Sequence, residues 1–203
     1  MSELFSIQLQ NRQQQGRDGV WLDLRTTTEQ VQAALRQIGI SSDNPQGLFI
    51  SGYFAEEEKR FAIPYNMVLA SNVDELNFLA SRLETLSTVE RAELNAALQA
   101  PQSELSSIGR ITDFPENVDY YVHLPDVRGP AQLGDYYLNR SGMVDMPEEW
   151  KGGIDTAQFG RYVAQQEQGV FTEYGYLVKS GDEWQKVHEG QPVPEEYRVL
   201  SFP

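Results

Sequence analysis

Carboxylates run through the whole of this chain. That confines it to folds in which every segment keeps an outward face. Thirty Asp and Glu stand against sixteen Lys and Arg, a formal net charge of -14. The balance is -1 over residues 1–50, -4 over 51–100, -6 over 101–168 and -3 over 169–203. A terminal acidic run would describe a disordered tail. Dispersed carboxylates between regularly spaced apolar residues describe a folded body with an acidic skin. Such a skin repels nucleic acid and membrane surfaces and attracts proteins built to hold polyanions.

The 203 residues, 40% of them hydrophobic, suffice for one core or for two or three small ones. No apolar run approaches the roughly 18–20 residues of a membrane helix. The opening Met1-Ser2-Glu3-Leu4-Phe5 lacks a basic stretch followed by an apolar one, so no secretory signal is expected. There is no cysteine, which excludes disulfides, thiolate catalysis and Cys-ligated metal and fits a cytoplasmic location. The two histidines, His123 and His188, leave little room for zinc chemistry or a His-based triad.

Hydrophobic periodicity predicts an α+β fold. Phe5-Ser6-Ile7-Gln8-Leu9 alternates as a strand, and Val20 to Leu24 reads as a second. Thr26-x-x-Glu29 has the form of a capping box, after which Val31, Ala34, Leu35 and Ile38 line one helix face up to Gly39. Leu48 to Phe54 returns as a strand. Asn72-x-x-Glu75 opens a helix with the stripe Leu76, Leu79, Ala80, Leu83 and Leu86. Ser87-x-x-Glu90 opens another, with Val89, Ala92, Ala97 and Leu98 expected inward. Val118 to His123 reads as a strand, Ala131 to Arg140 as a helix, and Thr156 caps a helix facing inward through Phe159, Tyr162 and Val163. Val170 to Val178 and Tyr197 to Phe202 read as late strands. The expected division is an N-terminal α+β domain (1–60), a central helical domain (61–110) and a C-terminal α+β domain (111–203), extended from about residue 169.

No catalytic residue emerges. Carboxylate pairs suit glycoside hydrolysis, but thirty acids produce pairs by chance. His123 with Asp119 and Asp126 reads as a structural strand-end group. Asp43-Asn44-Pro45-Gln46-Gly47 lacks the ligand spacing of a calcium loop. Phosphate-loop, zincin and nucleophile-elbow patterns are missing from the sequence. The aromatic group Tyr120, Tyr121, Tyr136, Tyr137, Phe159, Tyr162, Tyr174 and Tyr176 has no basic patch to draw nucleic acid and reads as a small core or a self-association surface. Neither an enzyme, nor a cofactor, nor a metal site is expected.

Several short segments, taken in order, carry a resemblance. They are Trp21-Leu22-Asp23-Leu24, Ile63-Pro64-Tyr65-Asn66, Leu76-Asn77-Phe78-Leu79-Ala80, Leu133-Gly134-Asp135-Tyr136-Tyr137 and Ile154-Asp155-Thr156-Ala157-Gln158-Phe159-Gly160-Arg161. Over roughly residues 3–168 the chain resembles the ArdA antirestriction family, whose members show Trp-x-Asp, Leu-Asn-x-Leu-Ala, Leu-Gly-x-Tyr and Tyr-Gly-Arg-like segments. Here Gly152-Gly153 stands before Ile154-Asp155 where an aromatic is common, and Phe159 replaces the Tyr before Gly160-Arg161. Residues 169–203 run past the usual family end.

The resemblance implies a slender three-domain molecule that pairs into a homodimer and imitates bent B-DNA. Its partner would be the methyltransferase and specificity core of a type I restriction-modification enzyme, blocked competitively on behalf of a mobile genetic element, with no direct contact to nucleic acid or membrane. The charge is consistent with that. Duplex DNA carries about one charge per 1.7 Å of axis, so -14 matches roughly 24 Å of duplex. The acids outside the apolar stripes are the candidate phosphate mimics: Glu56, Glu57, Glu58, Asp74, Glu75, Glu84, Glu90, Glu93, Asp113, Glu116, Asp119, Asp126, Asp135, Asp145, Glu148, Glu149 and Asp155. By the resemblance, the segment Leu133 to Tyr137 lies near the dimer contact, and Leu133, Tyr136 and Tyr137 are expected either at that interface or buried within one chain. An acidic adaptor for another basic or DNA-binding protein is the competing reading.

Overall fold

The computed structural model describes residues 4–14, 18–56, 61–101 and 103–203. Glu57 and Glu58 lie outside them. The fold is α+β. In chain order its elements are β1 (Phe5–Asn11), β2 (Val20–Leu24), α1 (Thr28–Gln37), β3 (Leu48–Phe54), α2 (Tyr65–Leu69), α3 (Val73–Leu83), α4 (Thr88–Gln99), α5 (Ile108–Thr112), β4 (Tyr121–Leu124), α6 (Pro130–Asp135), α7 (Glu148–Lys151), α8 (Thr156–Glu167), β5 (Val170–Thr172) and β6 (Gly175–Lys179). They form two compact units interleaved in sequence. Unit 1 is Met1–Ser87 with Leu105–Glu116 and Gln185–Pro203; unit 2 is Thr88–Glu104 with Asn117–Trp184. The boundaries expected at 60/61 and 110/111 both fall inside unit 1.

Unit 1 is built on an antiparallel sheet of order β2-β1-β3. Phe5 pairs with Leu24, Ile7 with Leu22 and Leu9 with Ile50, so one apolar face forms from all three strands. That face is buried, and α1, α2 and α3 pack on its strands. The cap of α1 sits one residue later than expected: Thr27 takes the Gln30 N–H while the Gln30 side chain accepts from the Thr27 N–H. Gly39, at φ +67°, ends that region as predicted. The box at Asn72 and Glu75 forms as predicted, and Leu76, Leu79, Ala80 and Leu83 are buried.

Unit 2 holds the sheet β4-β6-β5, also antiparallel, with α4 packed against β4 and β6. The inward face of α4 includes the expected Ala97 but differs from the expected one at other positions. Val89 is 67% exposed, while Glu93, Leu94, Asn95, Ala96 and Ala97 are buried. Mid-helix, a Glu and an Asn stand at buried positions, which no hydrophobic count anticipates. Asp155, one residue before the expected Thr156, caps α8 by accepting the Gln158 N–H. Tyr162 points outward, and the buried positions of α8 are Gly160 and Ala164. After α6 the coil widens into a π turn over Tyr136–Arg140, closed by the Ser141 N–H donating to the Tyr136 carbonyl at 2.8 Å.

The expected strand from Tyr197 to Phe202 does not form. The segment Gln185–Pro203 instead lies along unit 1 as a strap with one 3-10 turn, Glu195–Tyr197. Five of its backbone donors, those of Val187, His188, Glu189, Val199 and Leu200, are taken by carboxylate side chains, and those of Gln191, Tyr197 and Arg198 by carbonyls of the strap itself.

Candidate functional site: a surface of carboxylates

The structure sorts the nominated acids by what each carboxylate holds. Three are structural. Asp113, 0% exposed, follows α5 and accepts three successive backbone N–H groups of the strap: His188 at 2.6 Å, Glu189 at 3.2 Å and Val187 at 3.3 Å. Asp74, in the first turn of α3, accepts the Val199 and Leu200 N–H groups, both at 2.7 Å. Glu93, 8% exposed, faces inward from α4 with Oε1 lacking a hydrogen-bond partner. Burial, with Glu90 and Asp119 adding repulsion, pushes its carboxyl up to about 8. For Asp113 and Glu93 the exposure behind their nomination is absent: Glu93 lies on the inward side of α4, and Asp113, at the C-terminal cap of α5, turns onto the strap.

The next group serves the helices and local ion pairs. Glu75 accepts the Asn72 N–H and Asp155 caps α8. Glu84 pairs with Arg25 at 3.2 Å, Glu116 with Arg82, Asp135 with Arg140 at 3.2 Å, and Glu148 with Lys151 at 2.6 Å. Partly exposed pairs of this kind contribute under about 1 kcal/mol each, so a stronger cationic partner can compete for the carboxylate. Glu90 sits half-buried on α4. Glu56, Asp119, Asp126, Asp145 and Glu149 are exposed.

Sequence reasoning passed over a further set. Asp18, Asp23, Glu29, Asp43, Glu173, Asp182, Glu183, Glu195 and Glu196 are exposed as well. For the last five the signal was the charge of residues 169–203; the first four lie in residues 1–50, whose near balance of charge gave none. The Glu29 carboxyl is held below its ordinary range by a backbone hydrogen bond and by Thr27.

Leu133 is fully buried in a cluster with Val127, Ala164 and Tyr176, as the reading of burial within one chain expects. Tyr136 and Tyr137 pack half-buried against that cluster. Tyr137 and Tyr176 both donate their hydroxyls to Glu167, the latter at 3.0 Å, and burial raises both phenols above their usual range. The Arg140 guanidinium lies 5.8 Å from the Tyr136 ring centre. The Leu-Gly-x-Tyr and Gly-Arg segments meet here: a Cβ on Gly134 would fall on the Thr156 carbonyl, and one on Gly160 on the Pro130 carbonyl. These two glycines let α6 and α8 touch backbone to backbone.

One group of side chains has the makings of a cation site. Asp113, Glu116 and His188 bring a ligand atom each within 4.8 Å of one another. Asp113 is engaged by the strap, Glu116 by the Arg82 guanidinium, and the His188 ring stands edge-on to Phe78 at 5.0 Å. A cation here would have to displace an arginine, so the donor set suits a structural clamp better than a metal. Among the described residues no helix is long and apolar enough to cross a membrane.

Fold and surface together define an acidic α+β protein whose outward carboxylates are spread over both units. Residues 15–178 match the family described as antirestriction protein (ArdA), and the chain belongs to that family. No curated protein matches it. The strap, Gln185–Pro203, lies beyond the matched residues.

Proposed function

We propose that this chain is a DNA mimic that occupies the DNA-binding core of a type I restriction-modification enzyme and blocks restriction by competition. The observation that carries the reading is the distribution of charge: a net -14 with exposed carboxylates on turns, loops and helix ends of both units. Lysines and arginines arranged for phosphates would bind these groups instead, and long-range attraction would speed the encounter. No bond is made or broken. The contacting acids are Glu56, Asp119, Asp126, Asp145 and Glu149, joined by the paired Glu84, Glu116, Asp135 and Glu148, and by Glu57 and Glu58. Asp74 and Asp113 act indirectly, by holding the strap in place, and Glu93, buried, makes no contact with the partner. Tyr136 and Tyr137 remain the candidate contacts of a homodimer, with Leu133 supporting them from within.

The energy of such mimicry is spread over many weak contacts. Each single neutralisation among Asp119, Asp126, Asp145 and Glu149 is expected to weaken inhibition by less than about 2 kcal/mol. The combined Asp→Asn and Glu→Gln variant is expected to flatten the dependence of affinity on salt. Inhibition abolished by one of these substitutions would point to a discrete site. Equal binding to an unrelated basic protein would favour the adaptor reading.

A further inference from the structure

One face of the unit 1 sheet packs on helices; the other carries aromatic rings in the open. Two cross-strand rows build that outer face. Trp21, Gln8 and Gly52 stand side by side on β2, β1 and β3, and Asp23, Ser6 and Phe54 form the adjacent row. Trp21 reaches across Gln8 onto Gly52, where a Cβ would stand 3.0 Å from its Cη2. Its ring meets Phe54 edge to face at 6.4 Å. Trp21 is 49% exposed and Phe54 59%. Ser6 donates to Asp23 at 2.6 Å, fixing the carboxylate beside the rings.

An indole held over a glycine and braced by a phenyl ring is pre-organised, so it loses little freedom when covered. The chemistry that fits it is cationic. Aromatic faces attract a guanidinium, a carboxylate alongside strengthens the attraction, and the chain as a whole repels anions. The same face shows the arrangement at its other end, where the exposed Arg12 lies 5.1 Å from the Phe49 ring centre. Among the described residues no cation lies over Trp21 or Phe54.

We infer that the Trp21–Phe54 platform, with Asp23, is a docking point for an arginine-bearing surface of the partner protein, supplying a contact that carboxylates alone do not. This rests on the proposed antirestriction mechanism. Inhibition of DNA cleavage by a purified type I restriction enzyme tests it, with wild-type protein, Trp21→Ala, Trp21→Phe and Phe54→Ser compared at two salt concentrations. Trp21→Ala is expected to raise the half-inhibitory concentration roughly tenfold, with the salt slope unchanged because no charge is removed. Trp21→Phe should recover most of the loss. Phe54→Ser alters an exposed side chain, so it carries the test should Trp21→Ala fail to fold. Wild-type inhibition matched by Trp21→Ala and Phe54→Ser overturns the platform alone; wild-type protein that does not inhibit overturns the mechanism and the platform together. A change in sedimentation on Trp21→Ala without a change in inhibition would mean that a second copy covers the face, and also overturns it.

Discussion

Among single residues, the acids of this protein divide by whether water reaches them. Glu93 is the extreme case. In the unfolded chain it titrates in the ordinary range near 4.5, and in the fold near 8. The folded form therefore keeps a proton that the unfolded form has lost. Its contribution to stability is complete below pH 4.5 and declines as pH rises toward 8. Glu93→Gln should remove about 2 kcal/mol of that decline, so urea unfolding at pH 5 and pH 8 should differ less in the variant than in the wild type. An unchanged difference would contradict the assignment. Gly134 and Gly160 make the second residue-scale case. Either glycine changed to Ala must push α6 from α8, at a cost of about 2 kcal/mol or more, read as a lowered thermal midpoint. The sequence showed these glycines only as members of a resemblance. Their physical role becomes visible once two segments some twenty residues apart are brought into contact.

For the secondary-structure elements, periodicity carried most of the description. β1, β2, α1, β3 and α3 lie where alternation and apolar stripes placed them, because each buries one face against a neighbour from the same unit. What failed was local. The caps of α1 and α8 moved by one residue, since adjacent Thr26–Thr27 and Asp155–Thr156 both offer a capping oxygen. The strand expected at Tyr197–Phe202 is a strap, because its donors find Asp74 and the Tyr197 carbonyl accepts from Asn77, partners more than a hundred residues away. The two carboxylates that hold it were legible as acids and invisible as anchors. Asp113→Ala leaves three backbone donors without their acceptor and is expected to cost about 3 kcal/mol of unit 1 stability. Hydrogen exchange should then speed up at Val187, His188 and Glu189. Protection that survives the substitution would show that the strap is held by its other contacts, such as Arg110–Glu189 at 2.9 Å and the Phe78–Tyr197 rings at 4.8 Å.

For the whole molecule, charge is the property on which the proposed mimicry rests, and it was fully legible from the start. The chain belongs to the antirestriction family, and exposed carboxylates lie in both units. Exposed charges interact over about a Debye length, roughly 10 Å at 0.1 M salt and 3 Å at 1 M, so competition with DNA must weaken as salt rises. The decisive measurement is DNA cleavage by a purified type I restriction enzyme at increasing concentrations of this protein, at low and at moderate salt, with direct binding to DNA assayed in parallel. Near-stoichiometric inhibition that weakens at the higher salt, without binding to DNA, is the predicted result. Full cleavage in the presence of a large excess of the protein would contradict DNA mimicry.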